Sequence, residues 1–265
     1  MNIIYELNPP KILQGSHFEP SILITEVKKF LSRAAKVSEI TRYIHLTDSV
    51  LGFPRISSVT AAHMILNRAD NRELNLTCSI RTRDRNMNSI IQSVADCIIL
   101  KVEGLLFIQG DKPNYETSAA AVSNTLSPKP TEVIRMLNSM GFGHLISLDL
   151  SIPNKISNVD SLRKKIESRP RRFVTQSVAS IDEIRKLKTI LQSNGCEIVN
   201  MIPCVMVPSL KNQRAATMIG LDWSGYEDYF FDFIGQIKDE GINQLLLTSP
   251  NSFDEGIEAL RRITK

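Results

Sequence analysis

Three polar side chains lie at the ends of short apolar segments, where they could perform chemistry. Glu6 interrupts the apolar segment 3–7, Asp111 follows the apolar segment 105–109 in a Gly-Asp-Lys-Pro turn, and Gln176 lies late in the segment 172–178. A carboxyl group in a partly desolvated site has a raised pKa and can act as a general acid. An amide in an apolar strand needs hydrogen-bonding partners, which the polar edge of a ligand would provide.

Each of the three residues also has a purely structural interpretation. Glu6 could be a solvated residue at a strand end, and Asp111 could bond the backbone of its own turn or cap the next helix. Gln176 could be a core amide whose partners all belong to the protein. The residue types alone leave these alternatives open.

A cluster of arginines follows the apolar segment 74–80. Arg81, Arg83 and Arg85 surround Asp84 in the sequence. Guanidinium groups hold carboxylates and phosphates through paired hydrogen bonds, so Arg81 and Arg83 are candidate substrate-binding residues. The commoner alternative is a solvated patch at the start of a helix, paired with Asp84.

The elements that must position these residues alternate along the chain. Strands are predicted at residues 3–7, 43–47, 74–80, 105–109, 145–150, 172–178, 198–206 and 244–248. Helices, recognised by an apolar period near 3.6, are predicted at 24–35, 59–68, 87–100, 131–140, 159–166, 181–193, 226–240 and 253–263. This alternation predicts an α/β fold, a (β/α)₈ TIM barrel forming one domain over residues 1–265; a doubly wound sheet is the alternative.

In such a barrel the carboxyl ends of the strands form the active-site face. Glu6, Asp111 and Gln176 are therefore predicted to converge there. Local signals set some element boundaries: Ser157 or Asp160 as the cap of the fifth helix, Ser180 with Glu183 as a capping box, Asn194-Gly195 as a helix stop, and residues 123–130 as a loop.

The composition excludes several classes of protein. The net charge of +4 is spread along the chain and aromatic residues make up 6%, so no nucleic-acid partner is predicted. The four cysteines and four histidines are scattered without a C-x-x-C pair, so no metal site is predicted. No apolar run approaches the roughly 18 residues of a membrane span, and we expect a cytoplasmic protein without membrane contact.

Five motifs along the chain resemble, in order, those of methylenetetrahydrofolate reductase. They are Tyr5-Glu6-Leu7-Asn8-Pro9-Pro10-Lys11, Asn75-Leu76-Thr77-Cys78, Ile108-Gln109-Gly110-Asp111-Lys112-Pro113, Val174-Thr175-Gln176 and Met201-Ile202-Pro203. The resemblance implies a TIM-barrel flavoprotein of one-carbon metabolism and methionine biosynthesis. It also implies that FAD takes a hydride from NAD(P)H and reduces the methylene group on tetrahydrofolate to a methyl group.

The resemblance implies a role for each matching position. Glu6 would be the general acid that protonates the folate nitrogen, Asp111 the acid beside the flavin and the pterin, and Gln176 the amide that contacts the pterin. The implied flavin contacts are Thr47, Asn75, Gln109, Gly110, Asp111 and Lys165. Arg81 and Arg83 would hold an anionic pterin tail, and the family implies a homo-oligomer.

Two departures from the family pattern leave two functions open. Asn75 replaces the usual histidine and Gln109 the usual arginine, both at flavin contacts. The first function is a divergent methylene-tetrahydropterin reductase, in which FMN or an electron-transfer partner could replace FAD and NAD(P)H. The alternative is a flavin-free pterin-binding barrel that serves a methyl-transfer partner system of the corrinoid type.

Overall fold

The computed structural model describes residues 1–14, 17–68, 73–112 and 127–265. The strands are β1 (Asn2–Leu7), β2 (Leu13–Gln14), β3 (His17–Phe18), β4 (Tyr43–Leu46), β5 (Asn75–Arg81), β6 (Gly104–Ile108), β7 (Ser147–Ile152), β8 (Phe173–Ser177), β9 (Met201–Met206) and β10 (Gln244–Thr248). The helices are α1 (Pro20–Ser38), α2 (Ser58–Leu66), α3 (Met87–Ile99), α4 (Pro130–Ser139), α5 (Val159–Glu167), α6 (Ile181–Ser193), α7 (Leu210–Met218), α8 (Tyr226–Asp239) and α9 (Phe253–Thr264). Pro113 and positions 123–126 of the predicted loop lie outside the described residues.

Eight strands form a closed barrel in the order β1, β10, β9, β8, β7, β6, β5, β4. Their described pairings are parallel, while β2 and β3 form a separate antiparallel pair. The predicted (β/α)₈ class is confirmed, and closure excludes the doubly wound alternative because that sheet is open. Every predicted strand is present, although β9 begins at Met201, three residues later than the start predicted at 198.

Contacts within the chain group it into two compact units. The first unit contains residues 1–6 and 150–265, and the second contains residues 7–149. The expectation of one domain over residues 1–265 stays a prediction.

In the first unit, the side chains of β1 alternate between two faces of the strand. One face packs against helices, and the other carries Glu6. Tyr5 is buried and meets the ring of Phe253 in α9 edge-on, with ring centroids 6.3 Å apart. Because successive residues of a strand point to opposite faces, Glu6 faces away from α9. The same alternation on β10 turns Thr248 toward Glu6.

In the second unit, β5 is divided in the same way. The Cys78 thiol donates to the Ser58 carbonyl oxygen of α2 across 3.6 Å, so Cys78 faces the helix layer. Thr77 and Ser79 therefore face the opposite side. There they hold both ring nitrogens of buried His45 at 2.8 Å.

Helix α7 is absent from the sequence prediction. Its sequence, LKNQRAATM, has too few apolar residues to show a 3.6-residue period. The helix is fixed instead at its start, where the Ser209 hydroxyl accepts the Asn212 backbone N–H. Asn212 is fully buried, and its side-chain amide donates to the Val207 carbonyl oxygen.

The structure corrects one predicted helix cap, confirms Ser180 as the cap of α6 without the complete capping box, and confirms the predicted stop of α6. Asn158, rather than Ser157 or Asp160, caps α5, because its side-chain oxygen accepts the Ser161 backbone N–H at 2.9 Å. At α6, the Ser180 hydroxyl accepts the N–H of Glu183, and the Glu183 carboxylate accepts the N–H of Ala179. Helix α6 ends at the predicted stop, with Asn194 at its C-cap and Gly195 at φ +94°.

Candidate functional site

Glu6 is anchored by one hydroxyl from the neighbouring strand. Thr248, the last residue of β10, donates a hydrogen bond of 2.6 Å to Glu6 Oε1. Glu6 keeps some exposed surface, yet protein atoms surround its carboxyl group densely. The carboxyl group of Glu6 is therefore less solvated than that of an ordinary strand-end residue.

The surroundings of Glu6 favour its protonated form. Burial raises the pKa of Glu6 above its ordinary value, and the Thr248 hydrogen bond opposes this in part. Desolvation disfavours a carboxylate because the charge loses its water shell. A carboxyl group that keeps its proton at higher pH than usual is suited to general acid catalysis.

One neighbour of Glu6, Cys204, was missed at the level of sequence. Cys204 of β9 is buried, and its thiol lies 3.5 Å from the Ser177 hydroxyl at the end of β8. Burial, followed by the charge of Glu6, raises the pKa of Cys204 to about 12. The thiol is therefore protonated at neutral pH and is not an activated nucleophile. Cys204 stands in an Ile-Pro-Cys segment, and nothing in that local sequence indicates that the thiol lies near Glu6.

Thr248→Val tests whether the hydroxyl tunes Glu6. Valine has nearly the same shape but cannot donate, so we expect the pKa of Glu6 to rise further above its ordinary value. An NMR titration of the Glu6 side-chain carboxyl carbon measures this shift. Thr248→Ser keeps the hydroxyl and serves as the control. An unchanged titration midpoint in Thr248→Val would show that the hydrogen bond does not influence Glu6.

Gln176 lies on an irregular part of β8. The pairing of β8 with β9 shifts register between Val174 and Ser177, which places Gln176 within the irregularity. Its side chain is exposed, whereas Thr175 and Ser177 beside it are buried. The core-amide interpretation is therefore wrong, and the amide is open to a ligand.

The arginines after β5 are arranged around a buried acid, Asp48. Its side chain is 2% exposed, accepts the Arg81 backbone N–H at 3.0 Å and pairs with Arg85 at 2.9 Å. Arg81 also pairs with Asp84, as the structural alternative expected, but Arg81 is buried rather than solvated. Arg83 donates to the Gly110 carbonyl oxygen at 3.2 Å.

These groups line a cavity of about 150 Å³. Two carboxylates, Asp48 and Asp84, face three guanidinium groups there, which leaves one positive charge in excess. Among the described residues, Arg83 is the one arginine of the three without a carboxylate partner. The cavity can therefore attract a small anionic group.

The turn after β6 places Asp111 against the loop that follows β4. Asp111 is exposed, and its carboxylate accepts the Leu51 backbone N–H at 2.8 Å. Gly110 has φ +82°, and a Cβ there would lie 2.6 Å from the Arg81 side chain. This glycine is needed both for the turn and for the close approach of Arg81. Gln109 is exposed beside it.

The structure does not gather all of the predicted flavin contacts. The Thr47 hydroxyl, just after β4, donates to Asn8 Oδ1 at 2.7 Å. Asn75 is the first residue of β5 and Arg81 the last, so Asn75 lies roughly 20 Å away at the other end of the strand. Thr47 belongs to the same strand ends as Asp111, whereas Asn75 does not.

Lys165 contacts the barrel from helix α5. Its ammonium group donates to the Ser151 carbonyl oxygen of β7 at 2.6 Å, and burial lowers the pKa of Lys165. The Lys165 ammonium group therefore contacts a backbone carbonyl oxygen of β7 in this structure. Its predicted contact with a flavin stays a prediction.

Two negative findings concern only the residues that the structure describes. No group of three or more His, Cys, Asp or Glu side chains in these ranges could hold a metal ion. None of the helices over the same ranges is long and apolar enough to cross a membrane.

Comparisons with known proteins identify the fold. No family matches the chain, and no curated protein matches it. One similar structure is an uncharacterized protein from Clostridium thermocellum, which is described as binding two copies of 5-methyl-5,6,7,8-tetrahydrofolic acid. The two structures align with a TM-score of 0.67 and 12% sequence identity, and the alignment covers 99% of this chain and 95% of that one. A protein from Aquifex aeolicus VF5 aligns with a TM-score of 0.50 and 11% identity, over 100% of this chain and 90% of that one. At such identities the similarity establishes the fold alone.

Proposed function

We propose that this protein binds a reduced pterin and reduces its methylene form to the methyl form with a bound flavin, as a divergent relative of methylenetetrahydrofolate reductase. The observation that carries the proposal is the enclosed carboxyl group of Glu6, held by Thr248 at the carboxyl end of β1. The five motifs support the pterin as ligand. So does the tetrahydrofolate compound described for the Clostridium thermocellum protein.

Glu6 would supply the proton that the chemistry needs. A proton passes from the Glu6 carboxyl to a ring nitrogen of the methylene-tetrahydropterin, and the nitrogen–methylene bond breaks. The five-membered ring opens to an electrophilic iminium carbon, which accepts a hydride. The raised pKa lets Glu6 keep its proton at higher pH than an ordinary carboxyl group does, and the Thr248 hydrogen bond holds one carboxyl oxygen.

The other proposed roles follow the availability of each side chain. The exposed amide of Gln176 would contact the pterin ring through its donors and acceptor. Arg81 and Arg83 line a cavity with excess positive charge and would attract a small anionic group of a bound ligand. Arg83 is the stronger candidate, because Arg81 already pairs with Asp84.

The fit to a flavin is partial. Gln109 and Asp111 are exposed after β6, and with Gly110 they could hold the polar edge of a flavin ring. Asn75, at the opposite end of β5, does not fit. A flavin, FAD or FMN, would supply the hydride when bound, and NAD(P)H or an electron-transfer partner would reduce it. The protein's own part is to bind, orient and donate the proton.

A second candidate function has its own support. Thr47 donates its hydroxyl hydrogen to Asn8 and could only accept a hydrogen bond from a flavin, and Asn75 lies at the opposite end of its strand. The compound described for the Clostridium thermocellum protein is the methyl-carrying form. Both observations favour a flavin-free barrel that binds a methyl-tetrahydropterin for a corrinoid methyl-transfer partner.

An anaerobic reconstitution separates the two functions. The protein is incubated with FAD or FMN, freed of excess flavin, reduced chemically and mixed with methylenetetrahydrofolate. The reductase proposal expects retained flavin whose absorption returns as the substrate is reduced. Binding of 5-methyltetrahydrofolate without retained flavin would instead support the carrier function. Binding of neither ligand would contradict both.

A further inference from the structure

The loops that follow β1 and β4 are joined at Lys11 and Arg55. These two residues form an isolated antiparallel bridge. Backbone bonds from Ile12 N–H to Pro54 O, at 2.9 Å, and from Ile56 N–H to Pro10 O, at 3.0 Å, hold the loops together. Both loops leave the carboxyl ends of barrel strands, the face where ligands bind in this fold.

The two cations at this junction have no anionic partner in the described ranges. Arg55 donates through Nη1 to the Pro9 carbonyl oxygen at 2.6 Å, while its buried Nε has no hydrogen-bond partner there. Lys11 places its ammonium group 3.9 Å from the centroid of the Phe53 ring. No described carboxylate lies within ion-pair distance of either side chain.

Among the described residues, the arrangement of these two cations is electrostatically unfavourable. Burial lowers the pKa of Lys11, and the nearby charge of Arg55 lowers it further. Burial also lowers the pKa of Arg55. Two like charges that are partly desolvated and have no carboxylate partner among the described residues repel each other, and an anion bound between them would relieve that repulsion.

We propose that Lys11 and Arg55 form an anion-binding subsite that takes the carboxylates of the substrate's glutamate tail. The geometry of the two cations supports anion binding by itself, whereas the identity of the anion rests on the proposed function. A glutamate tail presents two carboxylates, one for each of the two cations. The guanidinium fork of Arg55 suits a planar carboxylate, and the Lys11 ammonium can follow the second one.

Calorimetric titration of the full chain with three separate probes tests this subsite. The probes are N-(4-aminobenzoyl)-L-glutamate, which is the tail alone, 6-methyltetrahydropterin, which lacks the tail, and inorganic phosphate. We expect Lys11→Met and Arg55→Lys each to weaken binding of the tail fragment, by about tenfold for Lys11→Met. Methionine keeps the unbranched stem over Phe53, and lysine keeps the charge at position 55, so both variants should fold.

The controls make the result specific. Arg42→Ala removes an exposed arginine that pairs with Glu73 before β4, and we expect it to bind the tail fragment as the wild type does. Binding of 6-methyltetrahydropterin should be the same in all variants. Loss of pterin binding with retained tail binding would contradict the proposed function but leave the subsite intact.

Three outcomes would overturn the subsite. The first is a wild-type protein that does not bind the tail fragment. The second is unchanged affinity for that fragment in both Lys11→Met and Arg55→Lys. The third is tighter binding of phosphate than of the tail fragment, which would assign the cations to a phosphate-bearing ligand instead.

Discussion

Glu6→Gln is expected to lower the turnover of methylene-tetrahydropterin reduction about 10²-fold or more, the usual effect of losing a general acid. Glutamine has the same length and can still accept the Thr248 hydrogen bond, so the pterin should bind largely as before. It has no acidic proton to give. Stopped-flow measurement of flavin reoxidation by the substrate separates the chemical step from binding.

The pH dependence gives this variant a second readout. Because the pKa of native Glu6 is raised, the wild-type rate should fall as pH rises through that raised value, whereas the residual rate of Glu6→Gln should lack this step. Stability follows the same sign. Above the ordinary pKa of 4.5 the unfolded state loses the proton first, so the wild type loses stability relative to Glu6→Gln as pH rises toward the raised value.

Glu227→Gln, an exposed change in the first turn of α8, is the matched control and should keep the wild-type rate and pH profile. Unchanged turnover in Glu6→Gln would remove Glu6 from the chemistry.

Asp48→Ala is expected to destabilise the protein by about 3 kcal/mol or more, as found when one partner of a buried ion pair is removed. The substitution leaves Arg85 without its carboxylate and the Arg81 backbone N–H without its acceptor. The free energy of unfolding from urea titration at constant pH measures the effect.

Glu73→Ala provides the comparison for Asp48→Ala. The Arg42–Glu73 pair has a similar distance of 2.9 Å, but its side chains are 68% and 75% exposed. Solvent screens such a pair, so we expect a loss of at most about 1 kcal/mol. Equal losses in the two variants would show that burial does not distinguish these ion pairs.

The barrel could be predicted from sequence because its signals are local. Each strand and most helices carry their own apolar periodicity, and capping residues such as Ser180 lie next to the helix they start. Helix α7 was not predicted, because it is held by hydrogen bonds from Asn212 to neighbouring loops rather than by an apolar face. At α5, the sequence predicted Ser157 or Asp160 as the cap, whereas the backbone geometry places Asn158 there.

The candidate residues could be named from the sequence, but their contacts could not. Glu6 and Asp111 are conspicuous as polar residues at strand ends, and their functional roles stay predictions. The partner of Glu6, Thr248, lies 242 positions away, and no local pattern connects them. The register shift that exposes Gln176 and the bridge that joins Lys11 to Arg55 likewise depend on pairing between distant segments.

Calorimetric titration of the flavin-free protein with 5-methyltetrahydrofolate tests the central claim, pterin binding, most directly. Both proposed functions need this site, whatever flavin or partner completes the reaction. We predict saturable binding at micromolar concentrations, the usual range for an enzyme's small-molecule ligand, with Glu6→Gln retaining most of the affinity. Absence of binding up to millimolar ligand, with the protein shown to be folded, would contradict the account.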